Sequence, residues 1–175
     1  GGGGNDYMDA GAGNDVLSGD EGNDTVIAGA GDDTASGGVG NDAVYGGTGN
    51  DIATGGEGND SVYGGTGNDS LTGEAGDDLL DGDTGNDALQ GGDVNDQLYG
   101  GLGNDTLEGG SGNDLISGGA GGDLMVGGSG SDTFIGGIGD TVVGGAGDND
   151  VLHLSAAGPY RILRDPNDPM SGTVE

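Results

Sequence analysis

At 175 residues, with 49 glycines and 3% aromatic side chains, the chain cannot assemble an ordinary packed core. Residues 1–152 carry 25 Asp and 4 Glu against no Lys or Arg, a net charge of −29 that repels nucleic acid and anionic membrane. With no Cys there are neither disulfides nor thiolate metal sites, which leaves hard cations held by oxygen. No apolar stretch is long enough to span a bilayer, and the opening residues carry no secretory-signal pattern.

From the start of the chain, aspartate recurs at every ninth position: Asp6, Asp15, Asp24, Asp33, Asp42, Asp51, Asp60, Asp69, Asp78, Asp87, Asp96, Asp105, Asp114, Asp123 and Asp132. Fifteen units of nine fill residues 1–135 in the form Gly-Gly-x-Gly-Asn-Asp-x-U-x, where U is apolar; residues 46–54, 64–72 and 109–117 are the clearest copies. The U positions are Met8, Leu17, Val26, Ala35, Val44, Ala53, Val62, Leu71, Leu80, Leu89, Leu98, Leu107, Ile116, Met125 and Phe134. The residues flanking them are mostly small or polar, which predicts a very short strand with one side chain facing inward. The six residues before it, rich in Gly and Asn, are expected to supply positive-φ conformations and turn the chain. Strand and turn reverse direction once per unit, so two units make one coil. The expected fold is all-β: a right-handed parallel β-roll of about eight such coils, with a thin apolar seam between two sheets.

A coil of two units sorts the aspartates into two ladders on opposite edges. One ladder runs from Asp6 to Asp132 through Asp24, Asp42, Asp60, Asp78, Asp96 and Asp114. The other runs from Asp15 to Asp123 through Asp33, Asp51, Asp69, Asp87 and Asp105. The next unit, residues 136–143, is one residue short and places its aspartate at Asp140; the unit after it has one extra residue before Asp150. The two changes cancel, so Asp150 falls one full coil after Asp132, and Val142 and Leu152 continue the seam.

Carboxylates stacked about 4.8 Å apart repel one another, so the fold opposes itself unless cations intervene. Calcium takes six to eight oxygens at about 2.3–2.6 Å from carboxylates and carbonyls, and two successive turns on one edge can offer both. Magnesium fits poorly, because it demands tight octahedral geometry and holds its water. The two ladders, extended to Asp150 and Asp140, have eight and seven gaps; fifteen divalent ions would bring +30 against the −29 of this region. The seam is too thin to offset the backbone entropy of ordering, so binding energy is expected to serve as folding energy.

Some positions depart from the pattern. Val94 takes a glycine position of its turn, where a β-branched residue resists positive φ. Asp20, Glu74 and Asp83 replace the second residue of theirs, and Ala35 and Ala53 thin the seam. The pattern is thus most disturbed around Asp96, while Asp140 and Asp150 lie in the two units of altered length.

Other features carry little chemistry. His153 is the only histidine, falls on an outward position and has no partner for a zinc site or a nucleophile triad. Tyr45, Tyr63 and Tyr99 share one outward column, where cross-strand packing is the ordinary role and sugar or protein binding the alternative. Thr48, Thr66 and Thr84 recur once per coil. After residue 154 the period stops, and Pro159, Pro166 and Pro169 bar further regular coils. The expected division is a repeat domain at 1–154 and a capping or linker segment at 155–175.

Over about 150 residues these repeats resemble the RTX (repeats-in-toxin) hemolysin-type calcium-binding nonapeptides of secreted bacterial proteins. The resemblance implies multiple calcium ions, up to about fifteen, held by the seventeen aspartates from Asp6 to Asp150 between turns n and n+2. It also implies a monomeric, non-catalytic module that passes a type I secretion machinery unfolded and folds outside the cell. Two other roles go with the resemblance. One is an adhesin extender or a rod binding sugar or ice, since the threonine column resembles that of ice-binding RTX adhesins. The other is a C-terminal targeting module of a secreted hydrolase or epimerase.

Overall fold

A computed structural model describes residues 1–146, 149–154 and 161–163. Strands follow one another at nine-residue intervals and fall alternately into two parallel sheets, of ten and nine strands. Each strand pairs with the strand two units on, as in Val26↔Val44 and Val44↔Val62 in one sheet and Leu71↔Leu89 in the other. The result is a parallel β-solenoid of about nine coils, close to the expected eight, with no helix among the described residues.

Most strands hold six residues, for example Thr25–Ala30 and Ala43–Thr48, where alternation around U predicted three. They run on through the two glycines after the U triplet, which pair across strands as in Gly29↔Gly47. Glycine has no side chain to mark a face, so this half of each strand is silent in a hydrophobicity pattern.

Every U residue from Val26 to Phe134 is buried, and Val142 extends the row. Met8, Leu17 and Leu152, in the outermost described coils, are only partly buried and pack against the end of the row. The seam is one side chain thick, so each coil depends on the coils stacked against it.

Backbone conformation corrects one expectation. Positive φ falls on the second and fourth residues of the units and on none of the Asn residues. The reason is steric: a Cβ on Gly29, at φ +114, would run into the carbonyl of Gly11 one coil earlier. Four non-glycine residues occupy such positions, Asp20, Glu74, Asp83 and Val94, with φ between 66 and 81. They have retreated to the ordinary left-handed region, where a side chain is tolerated at a cost. The sheet registers the change locally. The hydrogen bond from Gly76 N–H to the Asp93 carbonyl, beside Val94, lengthens to 3.4 Å against 2.8 Å for Gly58 N–H to Ala75. The ladder opposite Asp83 skips from Asp81↔Tyr99 to Thr84↔Leu102.

Beyond the regular coils, Arg161–Leu163 pairs with Thr141–Ala146 in the register Thr141↔Arg161 and Val143↔Leu163. This adds a rung to the ten-stranded sheet from beyond the expected boundary at residue 154. Pro159, Pro166 and Pro169 lie outside the described residues.

Candidate metal centre

The ladder aspartate sits at the sixth position of each unit, between the tight glycine turn and the strand. From Asp24 to Asp140 these carboxylates are 1–4% exposed, as buried as the apolar seam. Asp6, Asp15 and Asp150, in terminal coils, are half-buried. Burial on this scale requires partners for every polar atom, because an uncompensated buried carboxylate is costly.

Three of the four polar atoms find them in neighbouring coils. The backbone N–H of Asp42 donates to Oδ1 of Asp60 at 2.7 Å, that of Asp60 to Oδ1 of Asp78 at 2.8 Å, and so along both ladders. The Asp42 carbonyl accepts from Ser61 N–H at 2.9 Å. The fourth atom, Oδ2, has no hydrogen-bond partner in sixteen of the seventeen aspartates, from Asp6 to Asp132 and again in Asp150. Two rows of buried, unpaired carboxylate oxygens therefore run the length of the solenoid.

What faces these oxygens follows from the first glycine of the unit. A methyl group added to Gly46 would sit 2.6 Å from Asp51 Oδ2 and 2.8 Å from the carbonyl oxygen of Gly64, one coil on. At Gly82 the same two atom types, Asp87 Oδ2 and the Gly100 carbonyl, lie at 2.5 and 2.6 Å. Gly19, Gly37, Gly73, Gly91, Gly100, Gly109 and Gly127 repeat the arrangement. A charged carboxylate oxygen and a carbonyl oxygen from the next coil thus converge on one small space that only the missing Cβ leaves open. Among the described residues no three acidic or imidazole side chains gather at a point. The donor set is therefore carboxylate plus carbonyl, the hard oxygen chemistry that suits calcium and neither zinc nor copper.

Electrostatics agree. Burial pushes Asp78 and Asp96 up to about 7 and Asp60, Asp87, Asp123 and Asp132 up to about 6, with neighbouring carboxylates adding to the rise. Burial also raises Asp42, Asp51, Asp69, Asp105 and Asp114. A hydrogen bond from the preceding coil's N–H opposes each rise without cancelling it. Without a counter-charge, the geometry of the roll and the ionised state of its ladders are in conflict.

All seventeen predicted aspartates fall on the two ladders, but they are not equivalent. Asp96 keeps the standard geometry despite Val94, with its N–H 2.8 Å from Asp114 Oδ1. Asp150 continues the first ladder, accepting from Asp132 N–H at 2.9 Å. Asp140 differs: its Oδ2 accepts the N–H of Gly137 at 2.6 Å.

Two features escape a reading of the aspartates alone. Ala10 and Ala28 replace the first glycine of their units and bring the methyl that the other turns lack, next to Asp15 and Asp33. The fifth position forms a second ladder of opposite direction: Asn41 N–H donates to Asn23 Oδ1 and Asn59 N–H to Asn41 Oδ1, each at 3.0 Å. Asp32 and Asp77 substitute in it, accepting from Asn50 at 2.8 Å and Asn95 at 3.1 Å. Each coil is thus tied forward by aspartate and backward by asparagine.

The remaining candidates are placed on the outer surface. Tyr45 and Tyr63 stack on each other, with ring centroids 5.0 Å apart and planes 6° from parallel, which is cross-strand packing. Thr48, Thr66 and Thr84 are exposed and in register on three adjacent strands, and His153 is exposed opposite Ile135.

The family profile of the RTX calcium-binding nonapeptide repeat, four copies long, matches residues 1–17, 18–53, 54–89, 81–116, 90–125 and 117–152. No curated protein matches the chain.

Proposed function

This chain belongs to the RTX calcium-binding nonapeptide repeat family, and we propose from that premise that the ladder aspartates are its calcium ligands and that calcium is what lets the roll fold. One observation carries the reading: sixteen carboxylate oxygens sit without a hydrogen-bond partner, and in ten of those turns a glycine carbonyl of the next coil converges on the same space. Asp6, Asp15, Asp24, Asp33, Asp42, Asp51, Asp60, Asp69, Asp78, Asp87, Asp96, Asp105, Asp114, Asp123, Asp132 and Asp150 would each give Oδ2, and the first-position glycines their carbonyls. Calcium bound there supplies the positive charge that two stacked carboxylates need. Because each coil supplies part of the next site, binding and folding are one cooperative event.

This behaviour suits a secreted bacterial module. In low-calcium cytosol the chain stays unfolded and able to pass a type I exporter, and it folds on meeting calcium outside. Extracellular calcium modules have dissociation constants on the order of 0.1–1 mM, which separates the two compartments. The roll then acts as a structural unit without catalysis of its own.

Circular dichroism tests the proposal. The chain in chelator should give a coil spectrum, and millimolar calcium should restore β signal with a Hill coefficient well above one. Equal magnesium should do far less. A β spectrum that persists in chelator at neutral pH, or a non-cooperative sub-micromolar midpoint, would sink it.

A further inference from the structure

We propose that the turn of residues 136–143 needs no calcium, because the Gly137 N–H takes the place that a cation has in the nine-residue units. The inference rests on the calcium reading of the other ladder aspartates. It starts from a deletion: the unit reads Gly136-Gly137-Ile138-Gly139-Asp140, without the fifth residue, usually Asn, that precedes aspartate in the nine-residue units.

The missing residue shortens the strand. Thr133–Gly136 has four residues where its neighbour Leu115–Ala120 has six, and their pairing ends at Ser117↔Ile135. One coil earlier the pairing continues through Gly101↔Gly119 and Leu102↔Ala120. Gly137 is thereby released from the ladder, and its N–H turns back on its own turn to meet Asp140 Oδ2 at 2.6 Å. Oδ1 of the same residue accepts from Asp123 N–H at 3.0 Å. Both oxygens of this carboxylate, 1% exposed, are satisfied by backbone donors.

The surrounding space has changed with it. A methyl on Gly136 would meet Leu152 Cδ1 at 3.4 Å, Asp140 Oδ2 at 3.6 Å and Met125 Cε at 3.7 Å. At Gly46 the corresponding point lies between two oxygens, at 2.6 and 2.8 Å. The notch that elsewhere collects oxygen is here walled by apolar side chains, and an N–H stands where the ion's charge would be needed. A cation and this N–H compete for one lone-pair direction, and the covalently tethered donor is always present. The ladder through Asp123 therefore ends in a turn closed by the chain itself.

The test counts calcium by equilibrium dialysis of the full chain against millimolar calcium, with plasma mass spectrometry of both compartments, and follows its urea unfolding in calcium. Asp132→Asn should lose at least one ion relative to wild type. Asp140→Asn should lose none, yet unfold at lower urea, since its Nδ2 would confront the Gly137 N–H donor to donor. Restoring nine residues by inserting Asn between Gly139 and Asp140, with Asp148 deleted so that Asp150 keeps its register with Asp132, should add an ion. Loss of an ion in Asp140→Asn matching that in Asp132→Asn would overturn the proposal, as would an insertion variant with an unchanged count. If Asp140→Asn does not fold, the insertion decides alone. A wild-type chain that binds no calcium would be seen before any variant is made, and would fell the calcium reading itself.

Discussion

In residues 37–135 each ladder aspartate keeps an Oδ2 without a hydrogen-bond partner, and in most of these turns it shares its space with a carbonyl oxygen of the next coil. In residues 136–143 the same side chain, at the same depth, takes an N–H from its own turn. The strands, the seam and the Oδ1 hydrogen bond are shared by the two regions. What differs is one residue of turn length. Nine residues hold the aspartate between coils with its Oδ2 buried and without a hydrogen-bond partner; eight draw it back, where a backbone N–H meets it. On the calcium reading proposed above, the regular coils need an ion that the short unit does not.

The largest contrast should come from filling the notch. Gly46→Ala puts a methyl within van der Waals overlap of two candidate ligand oxygens, and its φ is not positive, so crowding alone is tested. It should lose a bound ion and about 1–3 kcal/mol of stability in calcium, as overpacking does. Gly136→Ala meets nothing closer than 3.4 Å and should stay within about 0.5 kcal/mol of wild type. Calcium counting with urea titration checks both, and equal effects would erase the distinction between the regions. Ala28→Gly, the reverse change, should tighten binding at the Asp33 turn.

A second contrast is with pH, in chelator. Asp78 and Asp96 at about 7 and Asp60, Asp87, Asp123 and Asp132 at about 6 lie above the ordinary carboxylate value because burial disfavours their charge. A raised carboxyl contributes stability that is complete below its ordinary value, about 4, and is lost as pH rises through 6 to 7. Acidifying a calcium-free sample from pH 7.5 to 5 should therefore recover part of the β signal in circular dichroism. A spectrum that stays coil throughout would mean that ladder charge is not what opposes folding.

The smallest effect separates the two kinds of regular coil, with and without a glycine at the positive-φ positions. Val94→Gly should stabilise by about 1 kcal/mol, the cost of a left-handed β-branched residue. It should do so with no change in bound calcium, because Asp96 already holds the standard geometry. A change in ion count would tie backbone strain to the site.

Much of this was legible in the residues. The apolar U positions placed the seam from Val26 to Phe134, and the two-unit spacing placed both ladders, because a solenoid converts sequence period directly into spatial register. The four strained positions were legible too, since Asp20, Glu74, Asp83 and Val94 each put a Cβ at a turn position where glycine recurs. The length of the strands was not, since glycine carries no facing signal. Asparagine's role was misread as a turn conformation, because its side-chain hydrogen bond reaches a residue one full coil away and leaves no local trace.

The sequence by itself determined the period, the order of the coils, the ladder to which every aspartate belongs and the excess of negative charge, all of which follow from spacing and composition. Only the tertiary structure decided which oxygen of each carboxylate remains to be satisfied and by what. Asp132 and Asp140 both read as ladder aspartates in a glycine turn, Asp140 set apart only by its shorter unit. One faces a carbonyl of the next coil and the other an N–H of its own, and that choice depends on where a turn of nine or eight residues leaves the backbone once neighbouring coils have stacked.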